Sequence, residues 1–160
     1  MAEVAAEYGH MELVRWLIQE QDMAMDEGDG RKLMGMAAHG GNLELVRWLR
    51  GEGCDWGTET CNAAAQRGHL ETLRWARENG CDWNAKTCYH AAYGGQLEVL
   101  QWLRSEGCPW DIYACHHAVE QGRVEVLRWA RENGCVWDAE TQDRAATALG
   151  YTDDLGNLLD

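Results

Sequence analysis

The sequence predicts an all-α protein, an α-solenoid of about six stacked antiparallel helix pairs that form one domain of residues 1–160. Tryptophan recurs at intervals of 27 residues in two columns, where a column is the set of equivalent positions in successive repeats. Residues that favour helix starts and ends recur at the same interval, and proline occurs only once. A repeat of this length is typical of helical units that each cover the apolar face of the next. The tryptophan columns are Trp48, Trp75, Trp102 and Trp129, and Trp56, Trp83, Trp110 and Trp137.

The first helix of each repeat is predicted to begin at an N-cap residue and to end at a glycine. In the repeat that starts at Asn84, the side chains of Cys88, Ala91 and Ala92 form a small apolar face at positions i, i+3 and i+4. Gly95 then provides a helix end of the usual kind. The equivalent first residues of the other repeats are Gly57, Asp111 and Asp138, and the equivalent glycines are Gly41, Gly68 and Gly122.

The second helix carries a carboxylate in its first turn and an arginine near its end, where the helix dipole favours each charge. Glu71 and Arg77 have these places in one repeat, and Leu70, Leu73 and Ala76 form the predicted inward stripe. Because the alanines of the repeats fill little volume, we expect the tryptophans to be buried and to replace aliphatic residues in the core.

The repeat boundaries follow from these columns. The interval from Trp16 to Trp48 is 32 rather than 27 residues, so the first repeat contains an insert around the acidic segment 19–30. This repeat also begins in mid-helix, which indicates a fragment of a longer repeat array, and the last repeat lacks the tryptophan column, as a polar cap does. The approximate repeats are 1–29, 30–56, 57–83, 84–110, 111–137 and 138–160.

The run AAAQRGHLETLRWARENGCDWN at residues 63–84 resembles the ankyrin repeat family, in which A-A-x-x-G-H-x-E-V-V-x-L-L-L-x-x-G-A-D-V-N is typical. The resemblance implies a helical interaction scaffold, and it places Cys81 at the family's small buried alanine and Trp83 at the valine that follows. The T-P-L-H motif is absent, and the family repeat has about 33 residues. We therefore expect shortened loops in place of the β-hairpin fingers, and binding on the helices.

The charge of the chain excludes several classes of partner. Lysine and arginine total 14 against 27 aspartate and glutamate residues, a formal charge of -13 that repels nucleic acid and anionic lipid. No segment approaches the roughly 20 apolar residues of a membrane span, and the N-terminus resembles no signal peptide. We expect no membrane insertion, a cytoplasmic, reducing location, and a partner surface that is basic or mixed in charge.

The seven cysteines are predicted to be buried, reduced thiols. Equivalent cysteines of neighbouring repeats are expected about 8–10 Å apart, whereas a disulfide needs Cα atoms within about 7 Å. The spacing C-x6-C also differs from the C-x2-C of structural zinc. His116 and His117 are adjacent on a helix and are expected to point about 100° apart. We predict no metal and no cofactor; a thiol-based metal or redox sensor remains a third functional alternative.

Catalytic motifs are missing from the sequence. The single serine, Ser105, lies near a helix end without a G-x-S-x-G elbow, and neither lysine lies in a G-x-x-x-x-G-K loop. We therefore predict that the protein is not an enzyme.

Comparison of the repeats with one another indicates a binding surface. The framework columns barely change, whereas the exposed columns of the first helices vary and gather aromatic residues and histidines in the middle repeats, as interface hot spots do. We predict a protein–protein interaction module that binds through the concave face of the first helices. Neutral drift of surface positions is the other explanation of the variation, but drift predicts less well that exposed aromatic residues cluster in the middle repeats. A structural spacer or accessory subunit of a larger assembly is the alternative function. The predicted partner-binding residues are Tyr89, His90, Tyr93, Tyr113, His116, His117, Glu120, Asn62, Gln66 and Lys86.

Overall fold

The computed structural model describes residues 1–19 and 27–148, and all regular secondary structure within these ranges is helical. This confirms the predicted all-α fold. Most of the acidic insert and the segment 149–160 of the predicted polar cap lie outside the described residues. None of the described helices has the length and apolar character that a membrane span requires. The helices are α1 (Ala2–Glu7), α2 (Met11–Gln19), α3 (Glu27–His39), α4 (Leu43–Gly51), α5 (Thr58–Arg67), α6 (Leu70–Glu78), α7 (Ala85–Gly94), α8 (Leu97–Ser105), α9 (Ile112–Glu120), α10 (Val124–Glu132) and α11 (Ala139–Ala148).

The helices form two compact units, and the boundary between Trp83 and Asn84 coincides with a predicted repeat boundary. In the first unit α3 packs against α1 and α5, and the pairs α1/α2, α3/α4 and α5/α6 each pack together. In the second unit α9 packs against α7 and α11, and the pairs α7/α8 and α9/α10 pack together. Each unit therefore has the stacked helix pairs expected of a solenoid; a single domain of residues 1–160 stays a prediction.

The helix ends follow the local sequence signals. The side chain of Asn84 accepts a hydrogen bond from the backbone N–H of Lys86 at 2.9 Å, and Asp111 has the same role at the start of α9. Gly68 and Gly95 end α5 and α7 with φ of 81° and 76°, a left-handed conformation in which a Cβ atom is unfavourable. These four predicted caps are confirmed.

The core of the units consists of aliphatic residues, alanines and cysteines. On α6 the buried residues are Thr72, Leu73 and Ala76, while Leu70 is only half-buried. The predicted stripe is therefore wrong at Leu70, because this residue is the first of α6 and lies at the turn that follows α5.

The prediction that the tryptophans form the core is also wrong. Only Trp56 is buried, at 9% exposed, whereas Trp16 is 49% exposed and the other seven tryptophans are half-buried. Trp75 precedes the last residue of the inward stripe and therefore lies about 100° around the helix from it. Its ring covers the edge of the core and packs edge-to-face on Trp56, with centroids 5.6 Å apart, and the rings of Trp110 and Trp129 pair in the same way at 5.8 Å.

An arginine clip, which the sequence analysis did not predict, fastens the end of the second helix to the following turn. Arg77 donates from Nη1 to the carbonyl oxygen of Cys81 at 3.3 Å, and its guanidinium carbon lies 4.4 Å from the ring centroid of Trp83. A cation–π contact of this kind contributes about 0.5–2 kcal/mol. The arginine near the end of each such second helix therefore packs on a tryptophan, in addition to placing the predicted positive charge at the negative end of the helix dipole. The same clip joins Arg50, Cys54 and Trp56, and Arg104, Cys108 and Trp110.

Candidate functional site

Two consecutive first helices of the second unit bring three of the predicted binding residues together. Tyr89 and Tyr93 lie one turn apart on α7, and His117 lies on the neighbouring helix α9. The ring centroid of His117 is 4.6 Å from that of Tyr89 and 6.3 Å from that of Tyr93, and the two tyrosine rings are 6.3 Å apart. We call Tyr89, Tyr93 and His117 the ring cluster; all three side chains are half-buried.

Other predicted residues surround the ring cluster. The ring of His90 lies 4.6 Å from that of Tyr89. Burial lowers the pKa of His90, and the charge of Lys86 lowers it further, so that the folded protein favours the neutral imidazole. Lys86 and Tyr113 lie in the first turns of α7 and α9, and Tyr113 is 57% exposed.

The expectation that His116 and His117 diverge is corrected by the position of Glu120. Nδ1 of His117 lies 2.7 Å from one carboxylate oxygen of Glu120, and Nδ1 of His116 lies 3.9 Å from the other. Glu120 lies four residues after His116 and three residues after His117 on α9, so both histidines are on the same side of the helix as its carboxylate, which lies between them.

These three side chains could offer ligand atoms within 4.8 Å of one another, and two imidazoles with a carboxylate are donors that suit a divalent transition metal. Arg144, however, donates to Glu120 at 3.3 Å and already places a positive charge there. The prediction of no metal stays a prediction.

Asn62 and Gln66 lie on α5 of the first unit, where only one of them has the predicted exposure. Gln66 is half-buried, but Asn62 is only 8% exposed and is not a surface position. Asn62 borders the apolar face formed by Cys61 and Ala65, and its short side chain is covered there. The longer Tyr89, in the same column of the next repeat, remains half-buried.

The first unit also contains a cleft that the sequence analysis missed. It has a volume of about 640 Å³, and its lining includes Lys32, Gly35, Met36, His39 and Ala63. The first four positions belong to the same 27-residue columns as the predicted binding residues: Gly35 and His39 lie one repeat before Asn62 and Gln66, and Lys32 and Met36 lie two repeats before Lys86 and His90. Following those columns from α5 towards the N-terminus, to α3, would therefore have indicated the cleft.

One ion pair and one histidine–carboxylate contact join α1 and α3 beside this cleft. Nζ of Lys32 lies 2.6 Å from a carboxylate oxygen of Glu3, and Nδ1 of His39 lies 3.2 Å from one of Glu7. The hydrogen bond from Lys32 to Glu3 raises the pKa of the lysine, and the negative charge of Glu3 acts in the same direction. Because the Lys32 and Glu3 side chains are exposed, solvent screens their attraction and the pair contributes little to stability.

The comparison with protein families decides the family. A family model described as ankyrin repeats, in three copies, matches residues 3–87, which is more than half of the 160 residues. The chain belongs to the ankyrin repeat family. Ankyrin repeats generally mediate protein–protein interactions, and the family is typically non-enzymatic. A search of curated proteins found no significant match.

The family match covers the cleft but not the ring cluster. The matched ankyrin repeats include α1 to α6 and end in the first turn of α7, before Tyr89. The 27-residue period continues through α7 to α10 with the same tryptophan and cysteine columns. Recognition of the family from the sequence is thus confirmed, while the shortened loops relative to other ankyrin repeats stay a prediction.

Proposed function

We propose that this ankyrin repeat protein is a non-enzymatic interaction module that binds a protein partner through the exposed face of its first helices. The observation that carries the proposal is the ring cluster, in which Tyr89, Tyr93 and His117 pack on one another while part of each ring stays accessible. Side chains that the fold already orders lose little conformational entropy when a partner covers them. The concave shape of this face remains a prediction.

The chemistry around the ring cluster supports a partner surface that is basic or mixed in charge. The chain has a formal charge of -13, and Glu120 is exposed beside His117. Tyrosine faces attract cationic groups, and their hydroxyl groups suit a polar rim. A protein segment that places an arginine or lysine over these rings would satisfy both requirements. We propose that the binding takes place in the cytoplasm.

Affinity capture with quantitative mass spectrometry tests the proposal. The triple variant Tyr89→Ala, Tyr93→Ala, His117→Ala is compared with the wild type, and the exposed second-helix residues Arg74 and Arg128 are reversed to Glu in a control variant. We expect the triple variant to bind the wild-type partner at least about 100-fold more weakly, because truncation of even one hot-spot residue costs about 2 kcal/mol or more and about 1.4 kcal/mol corresponds to tenfold. The control variant should retain it.

Thermal unfolding of all three proteins shows whether each variant is folded before capture is compared. Equal capture by the folded triple variant and the wild type would contradict the proposed surface. Loss of the partner only from the Arg74→Glu, Arg128→Glu variant would instead support the alternative function, a spacer or accessory subunit that uses its second helices.

A further inference from the structure

Six of the seven cysteines form pairs at a spacing of 20 residues within one repeat. The Sγ atoms of Cys61, on α5, and Cys81, in the turn after α6, lie 3.3 Å apart, and both side chains are buried. Neither the 27-residue period of the cysteines nor their C-x6-C spacing indicates this contact, and so it was not predicted from the sequence. The equivalent cysteines also interact: Sγ of Cys88 lies 3.9 Å from the carbonyl oxygen of Cys108, and the thiols of Cys115 and Cys135 shift each other's pKa.

The two thiols of a pair differ in acidity. The thiol of Cys61 donates to the sulfur of Cys81, whose own thiol lies 3.4 Å from the carbonyl oxygen of Gly57. The hydrogen bond from Cys61 lowers the pKa of Cys81 in spite of burial. In the same way the pKa of Cys135 is lowered and that of its helical partner Cys115 is raised. The turn cysteine Cys135 is therefore a better nucleophile than Cys115, and the lowered pKa of Cys81 and the raised pKa of Cys88 follow the same order.

We propose that each pair is an oxidisable dithiol that closes to a disulfide within its repeat when it reacts with a hydroperoxide. Closure from 3.3 Å to the S–S bond length of about 2.05 Å needs only a small approach of the two sulfurs. Cys81 lies between the exposed residues Gly80 and Asp82, so a local opening of this turn gives the oxidant access. The inference does not depend on the proposed interaction function.

Hydrogen peroxide is the oxidant that accepts the two electrons lost by the two thiols. The Cys81 thiolate attacks one oxygen of hydrogen peroxide, the O–O bond breaks, and a sulfenic acid and one water form after proton transfer. The sulfur of Cys61 then attacks the sulfenic sulfur, the S–O bond breaks and the disulfide forms. The hydroxide that leaves combines with the proton of the Cys61 thiol to give a second water. Two thiols together lose two electrons and two protons to one peroxide.

Cys54 is an internal control for this proposal. It occupies the turn column of Cys81, but the residue 20 positions before it is Met34 rather than a cysteine. Burial raises the pKa of Cys54, which also disfavours its thiolate. Oxidation of the folded protein should therefore leave one thiol of the seven, and this thiol should be that of Cys54.

Peptide mapping tests the proposal directly. The reduced protein is treated with hydrogen peroxide under native conditions, quenched, unfolded and alkylated. We expect a mass loss of about 2 Da for each of three bonds before alkylation, three peptide links at the spacing of 20 residues, and alkylation of Cys54 alone. Dithiothreitol should restore seven alkylated cysteines. Seven alkylated thiols after peroxide, mixed or intermolecular links, or cysteine sulfonic acids would each overturn the proposal.

Two variants distinguish specific pairing from chance oxidation. Cys61→Ser should leave Cys81 unlinked, as a sulfenic acid that dithiothreitol returns to the thiol, and should preserve the other two links. Met34→Cys should add a fourth link, to Cys54, and leave no alkylated cysteine. If Cys81 of the Cys61→Ser variant instead links to another cysteine of the folded chain, pairing within the repeat is wrong, and this result does not require the Met34→Cys variant to fold.

Discussion

The first-helix faces of the two units use the same columns to build different surfaces. Gly35 and His39 of the first unit line a cleft of about 640 Å³, whereas Tyr89 and Tyr93, in the same columns two repeats later, carry the ring cluster. The repeated helix pairs thus put residues of the same column at equivalent places on the first helices. The size of the side chains there decides whether the surface is an open cleft or is filled by rings. A search for variable columns therefore finds the surface but not its shape.

The interactions that cross from one first helix to the next also differ between the units. In the first unit they include the exposed ion pair of Lys32 and Glu3. The second unit also has an ion pair, of Arg144 with Glu120, but there the ring of His117 packs on Tyr89 as well. Solvent and salt screen an exposed ion pair, but they affect a ring contact much less. The second unit should therefore depend more on the identity of its surface side chains than the first.

The largest effect is expected where α1 and α3 approach each other in the first unit. A Cβ atom added at Gly40 would collide with the carbonyl oxygen of Glu7, whereas one added at Gly35 meets no atom within 4 Å. Gly40→Ala should lower the free energy of unfolding by about 3 kcal/mol. Gly35→Ala, the matched control in the cleft, should raise it by about 0.5–1 kcal/mol because alanine favours a helix. Urea unfolding followed by tryptophan fluorescence measures both, and effects of equal sign would refute this account of the approach.

A smaller effect is expected in the second unit when the ring cluster is opened. Tyr89→Ala removes the ring contacts with Tyr93 and His117 and should lower the free energy of unfolding by about 1–2 kcal/mol. Tyr113→Ala removes an exposed tyrosine of the same face and should change it by less than about 0.5 kcal/mol. Chemical unfolding of both variants is the measurement. Equal losses would show that the ring contacts contribute nothing to the fold.

The smallest effect is expected from pH. Because burial and Lys86 lower the pKa of His90 in the folded protein, the unfolded chain takes up the proton first as the pH falls through the ordinary histidine value of 6.5. The contribution of His90 to stability is therefore fully present above this value and is lost at lower pH. His90→Gln should lose less stability than the wild type between about pH 7 and pH 5.5, as measured by thermal unfolding. An equal loss in both proteins would contradict this origin of the acid sensitivity.

Local signals explain the parts of the fold that the sequence predicted correctly. Asn84 and Asp111 start helices because their side chains bond the first free N–H groups, and Gly95 ends one because it adopts positive φ without strain. These preferences act over a few residues and need no knowledge of neighbouring helices. The recurrence of such signals was sufficient to predict the helices and their pairing.

The errors concern features that depend on how one helix faces another. Trp75 is adjacent to the inward stripe in sequence, but a rotation of about 100° places it at the edge of the core. Asn62 is covered by the packing around α5, although its column varies as a surface column does. The contact of Cys61 with Cys81 joins residues separated by a helix and two turns, and the period within a column does not give the distance between two columns.

The arginine clip has a consequence for the growth of such a chain. Arg77, Cys81 and Trp83 all fall within the block 57–83, and the equivalent clip that begins at Arg104 falls within 84–110. A gene duplication that copies one block therefore copies all the residues of the arginine clip. A deletion of one block removes all of them and leaves no arginine or tryptophan of that clip without its partner. Engineers could lengthen or shorten the array in whole blocks and redesign only the exposed columns that contact a chosen target.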